Sequence, residues 1–411
     1  MSHSTFQPVD IHDPVAMRRA GPDVLSLALM DARNRTLQWL GAVEAMPTRL
    51  SPPLEADPPV WLVGQAGRFQ ELWIARNPQR ARGSDCPSDS VRLASIDPVL
   101  DWWLDPLTQP RAQRWSGSVP AGEAMRAYLA ATLEATLELL EKVYGDDDEA
   151  MYFYRMALVH EDRLGETLAA TVQALGFEIT VPELRGRPMA ARVRREPLGF
   201  GAQKVMLGTP PGGWVPEAEQ FAHETAVPEF EIDAQPVAWA EFGEFVDDRG
   251  YDDPTHWSAA GWAWVEATGR RAPRYVEQFA HGVLVHRQGR LQKVPSAQAA
   301  VHVCWYEADA WCRWAGRRLP TEAEFTLATR QGRHRGFVWG DVTEWMAQAA
   351  WAYPGHRSAP VRLDPLAPHP AARVLRGANC MSVARQHYAD RRRFAAPASD
   401  EGFCGFRSCA I

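Results

Sequence analysis

Residues Leu158-Val159-His160-Glu161-Asp162-Arg163-Leu164-Gly165-Glu166 sit in a long apolar-periodic run that begins near Ala124 and ends around Leu175-Gly176. The spacing predicts helix. On a helix, His160 and position 164 share one face, because residues four apart lie one turn above each other. Two imidazoles so placed can converge on one metal ion, each nitrogen at about 2 Å. Position 164 is leucine, which carries no donor atom, so the frame of a metal site stands with a ligand missing. A lone helical histidine is equally at home as a packed core or cleft residue with local hydrogen bonds.

Outward from this stretch, apolar residues recur at helical spacing in three further runs. They cover Asp23 to Val43, Val60 to Arg76 and Ala121 to Tyr144, with the motif itself inside a fourth run, Ala150 to Leu175. Proline-rich loops (Ser51-Pro52-Pro53, Pro58-Pro59) and a loop-like stretch from Ser90 to Pro110, with Trp102 and Trp103, connect them. Four helices with long connections predict a four-helix bundle, whose interior is a usual place for ligand sites.

The remainder of the chain reads differently. Pro182 to Pro188 and Arg192 to Arg195 form a basic, proline-containing connector, read as a solvated face or a seam between domains. Short strand-like runs follow at Val205 to Gly208, Phe230 to Asp233 and Gln235 to Val237, with a short helix from Glu241 to Asp248. In Val301 to Phe325, a helix places Trp305, Ala308, Trp311, Cys312 and Ala315 on its buried side. Gly316 stops that helix, and Thr321 caps the next one.

Composition narrows the function classes. With 411 residues, 46% of them apolar, the chain can bury two substantial cores. A net charge of −7 argues against nucleic acid or an anionic membrane as the main partner. No uninterrupted apolar stretch is long enough to span a bilayer, and Met1 to Gln7 lacks the features of a signal peptide. Six scattered cysteines (Cys86, Cys304, Cys312, Cys380, Cys404, Cys409) with no C-x-x-C pair fit neither a disulfide framework nor a structural zinc, so a reduced cytoplasm is expected.

Several of these segments carry a family resemblance. His160-Glu161-Asp162-x-x-Gly165-Glu166 resembles the His-x3-His-x-Glu motif of the sulfoxide synthases that make ergothioneine, and more closely that of their selenoneine-synthase branch. Trp61, Gly64, Phe69 and Trp73 fit the family's first-ligand pattern, with Gln65 at the histidine position. Val301 to Phe325 resembles the hallmark of formylglycine-generating-enzyme-like domains. Val374-Leu375-Arg376-Gly377-Ala378-Asn379 and Gly402-Phe403-Cys404-Gly405-Phe406-Arg407-Ser408-Cys409-Ala410 are similar to the family's closing signature.

The resemblance implies an α+β chain. A DinB-like four-helix bundle (1–180) and a linker (181–200) would precede a C-type-lectin-like, formylglycine-generating-enzyme-type domain (201–411). It also implies an iron(II)- and O2-dependent enzyme that joins sulfur or selenium, from a thiol or a selenosugar, to the imidazole of hercynine. His160 would be the remaining iron ligand, with Gln65 and Leu164 at the other two ligand positions and Glu161, Glu166, Arg392 and Phe394 at the pocket.

This chain departs from the family pattern at three further places. Phe337-Val338-Trp339-Gly340 runs directly into Asp341-Val342-Thr343-Glu344-Trp345, two segments that relatives keep apart. In the substrate loop, Ala395 and Ser399 occupy positions expected to be polar or aromatic and arginine, while Arg391 to Arg393 read as solvated surface. Ser382 and His387 stand where formylglycine-generating enzymes carry a reactive cysteine pair, and Cys404 and Cys409 read as packing residues. The alternative expectation is a non-catalytic paralog that keeps the scaffold and binds a small zwitterion or a protein partner.

Overall fold

A computed structural model describes residues 10–46, 56–115, 120, 122–144, 147–179, 181, 189–279, 282–364 and 366–411. The expectations for Met1 to Gln7, Ser51 to Pro53 and Pro182 to Pro188 lie outside the described residues.

The first half is helical: α1 (Pro14–Arg19), α2 (Pro22–Glu44), α3 (Pro59–Gln70), α4 (Pro98–Leu104), α5 (Gly122–Leu140) and α6 (Asp148–Leu175). α2 buries Leu25, Leu29, Ala32, Thr36, Trp39, Leu40 and Val43, a stripe at intervals of three and four residues that turns one face inward. α3 continues into a π-helical turn, Glu71–Ala75, so the run to Arg76 is not a single α-helix. The stretch from Ser90 to Pro110 is not all loop: α4 lies within it. Asp97 caps that helix by accepting from the Val99 and Leu100 amides at 3.0 Å, with proline in the first turn. α6 starts at an Asp147 cap and ends at Gly176, whose φ of +69° is the left-handed stop that glycine accommodates. It packs against α2 and α3, with lesser contact to α5.

The second half is a set of small sheets held by loops. β1 (Leu198–Phe200), at the end of the span read as linker, pairs antiparallel with β4 (Phe230–Ile232). β2 (Gln203–Leu207) pairs with β3 (His223–Val227). Gln235 to Val237, expected as strand, is irregular and leads into α7 (Trp239–Asp247). After α8 (Ala259–Thr268) comes a three-stranded meander, β5 (Val276–Gln278), β6 (Val283–Arg287) and β7 (Arg290–Val294). α9 (Trp305–Trp314) ends before Gly316 (φ +64°). α10 (Glu322–Gln331) opens with a capping box: Thr321 Oγ1 accepts from the Glu324 amide at 3.2 Å, and the Glu324 carboxylate accepts from the Thr321 amide at 2.7 Å.

β8 (Thr343–Ala350), β9 (His369–Arg376), β10 (Arg392–Ala395) and β11 (Cys404–Gly405) form the largest sheet, in the order β10-β9-β8-β11. Its core joins Trp239, Phe242, Phe245, Trp311, Trp345 and Phe406. The described arginines of the basic connector pack on the second half: Arg192 pairs with Asp341 at 2.7 Å, and Arg195 donates to the Gly336 carbonyl. Cys404 and Cys409 are buried, and all six cysteines are free. Among the described residues, no helix is long and apolar enough to cross a membrane.

Candidate functional site

α6 is the junction of the molecule, and its motif residues divide between faces because consecutive helical side chains point about 100° apart. His160 looks toward α3. Its ring stacks on Phe69 with centroids 4.4 Å apart and planes 19° from parallel. Its Nδ1 is buried without a hydrogen-bond partner. Burial, outweighing the nearby Glu161 charge, lowers its pKa to about 4, so the ring is neutral at pH 7. Gln65, one turn before Phe69 on α3, is half-buried and donates from Nε2 to the Leu104 carbonyl at 2.9 Å. Leu164, one turn after His160, is buried in an apolar cluster with Trp39, Trp61, Leu104 and Leu168.

Glu161 faces the bundle interior. It accepts from Arg33 (2.8 and 3.2 Å), Thr36 (2.7 Å) and Gln70 (3.1 Å), which ties α6 to α2 and α3. The next acidic and basic residues turn toward the second half. Asp162 takes a bidentate bond from Arg385 (2.7 and 2.8 Å) and another from Arg35 (2.7 Å). Arg163 meets Asp364 at 3.2 Å. Glu166 takes a bidentate bond from Arg391 (2.7 and 2.9 Å), one from Ser382 Oγ (2.8 Å) and a longer one from Arg393 (3.4 Å). Burial alone would raise the Glu166 pKa, but the arginines overcome it and hold it at about 2.

Arg391 and Arg392 are buried, which corrects the solvated surface expected of this triplet. Their cost of desolvation is offset by bidentate carboxylates, Glu166 for Arg391 and Glu322 for Arg392 (2.7 and 3.0 Å). Arg392 also lies over the rings of Tyr353 (3.9 Å) and Phe394 (4.7 Å). It belongs to the second half's interior, while Glu166 and Phe394 line a common cavity. The contacts of Ser382, Asp364 and Arg385 with α6 leave no local signal, because their partners are about 200 residues away.

The residues at the ligand positions expected from the resemblance do not fit a three-donor centre. A facial site needs three donors with positions left open. Here one imidazole is available, the neighbouring amide is engaged by a backbone carbonyl, and the third position is hydrocarbon. Among the described residues, no group of three or more His, Cys, Asp or Glu side chains is arranged to hold a metal.

A cavity of about 410 Å³ lies between α6 and the second half. Glu166 and Thr167 form one side, and Trp345, Arg393, Phe394 and Phe403 the other. Ala395 and Ser399 line it too, so the two loop departures read in the sequence fall on its wall.

The family model of the sulfatase-modifying factor enzyme 1-like domain matches residues 200–371. Hercynine oxygenase of Mycolicibacterium thermoresistibile is 31% identical over 356 residues, 83% of this chain and 74% of that protein. Hercynine oxygenase of Mycolicibacterium smegmatis is 31% identical over 360 residues, 84% and 78% of the two chains. Hercynine oxygenase of Mycobacterium tuberculosis is 28% identical over 342 residues. The fold is α+β, a helical bundle followed by a formylglycine-generating-enzyme-type domain, and the chain belongs to the ergothioneine-synthase-like family, as a member with glutamine at 65 and leucine at 164.

Proposed function

We propose that this chain acts in the ergothioneine pathway as a hercynine-binding protein, holding the zwitterion in the cavity between its two halves without a three-histidine iron centre. One observation carries this reading. The cavity keeps an aromatic wall (Trp345, Phe394, Phe403) and a cationic side chain (Arg393), while the metal position a turn away on α6 is filled by Leu164 and a neutral histidine. A trimethylammonium group is attracted to aromatic faces, and a carboxylate to guanidinium. The relatives named hercynine oxygenase support hercynine as the ligand.

A second reading is the family reaction, iron- and O2-dependent C–S or C–Se bond formation on hercynine with a thiol or selenosugar. The unpartnered, neutral Nδ1 of His160 favours it, since a free imidazole nitrogen is ready to accept a metal. Calorimetric titration of metal-free protein with hercynine separates the two. Saturable binding that falls at least about tenfold in Phe394→Ala, with histidine binding more weakly, supports the binding role. Product formation with iron(II), O2 and a thiol or selenosugar supports the second reading. Absence of saturable hercynine binding sinks the first.

A further inference from the structure

On the other side of Phe403 lies a second cavity, of about 230 Å³, between the end of α6 and the β5-β6-β7 meander. It is larger than an engineered pocket of about 150 Å³ that admits benzene. Three of its lining groups are hydrogen-bond donors without partners. Trp239 Nε1 and the Tyr275 hydroxyl are buried with no acceptor, the Arg274 guanidinium beside the tyrosine being itself a donor. The Arg287 guanidinium is half-buried and makes no hydrogen bond or ion pair with a described residue. Elsewhere, buried arginines of this chain meet carboxylates, as Arg391 and Arg392 do.

Other ionisable groups around the cavity do not supply the missing negative charge. Burial pushes the Cys380 thiol up to about 12 against the pull of Arg287, so it is neutral at pH 7. His302 is neutral, burial having lowered its pKa to about 4. Arg274 is already paired with Asp400 at 2.8 Å.

The backbone singles out the same place independently. Two described non-glycine residues with positive φ line this cavity outside any hairpin turn, Tyr275 (+68°) and His302 (+61°), whereas the positive φ of Gln288 (+48°) belongs to the two-residue β6–β7 turn it forms with Gly289. Left-handed backbone strains such residues and gathers at ligand sites. The Tyr275 and His302 rings pack edge to face, 4.9 Å apart. Gln173 of α6 fixes the meander by donating to the His286 carbonyl (2.7 Å) and accepting from the Gln288 amide (2.9 Å).

We propose that this cavity is a second ligand site, for a small organic carboxylate held by Arg287, Tyr275 and Trp239, with its apolar body against Val285, Val301 and Phe403. An uncompensated cation and two unmet donors call for an acceptor-only group, and the apolar wall calls for a carbon body. The site is separate from the hercynine cavity and does not depend on that assignment.

The test is a titration of the full chain with sodium benzoate, followed by the indole 15N–1H resonance that Trp239→Phe removes. Sodium sulfate and benzamide serve as controls. Saturable movement of that resonance by benzoate is expected, with benzamide inert and affinity at least about tenfold weaker in Arg287→Met and Tyr275→Phe. The melting temperature of Arg287→Met should hold or rise, because an unpaired, half-buried charge is removed. No saturable benzoate binding, binding that both variants retain, or saturation by sulfate alone overturns the organic-carboxylate site. So does a lowered melting temperature in Arg287→Met with unchanged benzoate affinity, which would mean that the arginine serves the fold.

Discussion

Two faces of α6 have different fates. Toward α3, the two further ligand positions expected from the resemblance hold Gln65 and Leu164, and of the three His160 alone offers an imidazole nitrogen. Toward the second half, Asp162, Arg163 and Glu166 each meet a buried, oppositely charged partner from far along the chain. One motif of seven residues thus serves two ends. Its ion pairs join the halves of the molecule and need no metal to form. Beside Trp61 and Leu104, Leu164 completes a hydrocarbon surface, whereas losing Glu166 would strand Arg391 inside the protein.

The largest effect should come from breaking the charged face. Glu166→Ala leaves Arg391 buried and unpaired and should cost about 3–5 kcal/mol in urea unfolding. A loss below about 1 kcal/mol would mean that the seam is open to water. The wild type carries a pH signature of the same contact. With its folded pKa near 2, below the unfolded value, Glu166 contributes about 3 kcal/mol above pH 4.5, which disappears as pH falls toward 2. That acid limb should be absent from Glu166→Gln.

The other face should respond less. Leu164→His places a polar ring among Trp39, Trp61 and Leu168 and should cost about 2 kcal/mol without creating iron affinity by itself. His160 also has a depressed pKa, so its contribution is present above pH 6.5 and is lost as pH falls toward 4. His160→Phe keeps a ring against Phe69. It should leave stability at pH 7 nearly unchanged and gain about 2 kcal/mol over wild type near pH 5. Equal acid sensitivity in the two proteins would show that His160 is hydrated.

Much of this architecture is legible in the sequence where the determining residues are neighbours. The helical periods of α2, α5 and α6, the Gly316 stop and the Thr321 cap depend on residues a turn or less apart. α4 had its local signal too, Asp97 before Pro98, outweighed by the surrounding prolines. The arginine triplet could not be read locally. Whether Arg391 is solvated or buried depends on Glu166, which precedes it by 225 residues. For the site, the vacated ligand positions were plain from residue identity, since leucine cannot ligate. The unpaired Arg287 and the orphaned donors of Trp239 and Tyr275 become visible only when three segments meet.

The most direct test is an anaerobic iron(II) titration of the wild type beside Gln65→His/Leu164→His. The wild type should take up no stoichiometric iron while melting cooperatively, and the double variant should bind it through the restored histidines together with His160. Tight, stoichiometric iron in the wild type that His160→Ala abolishes would contradict the account, because the α3 face of α6 would then still be a metal centre.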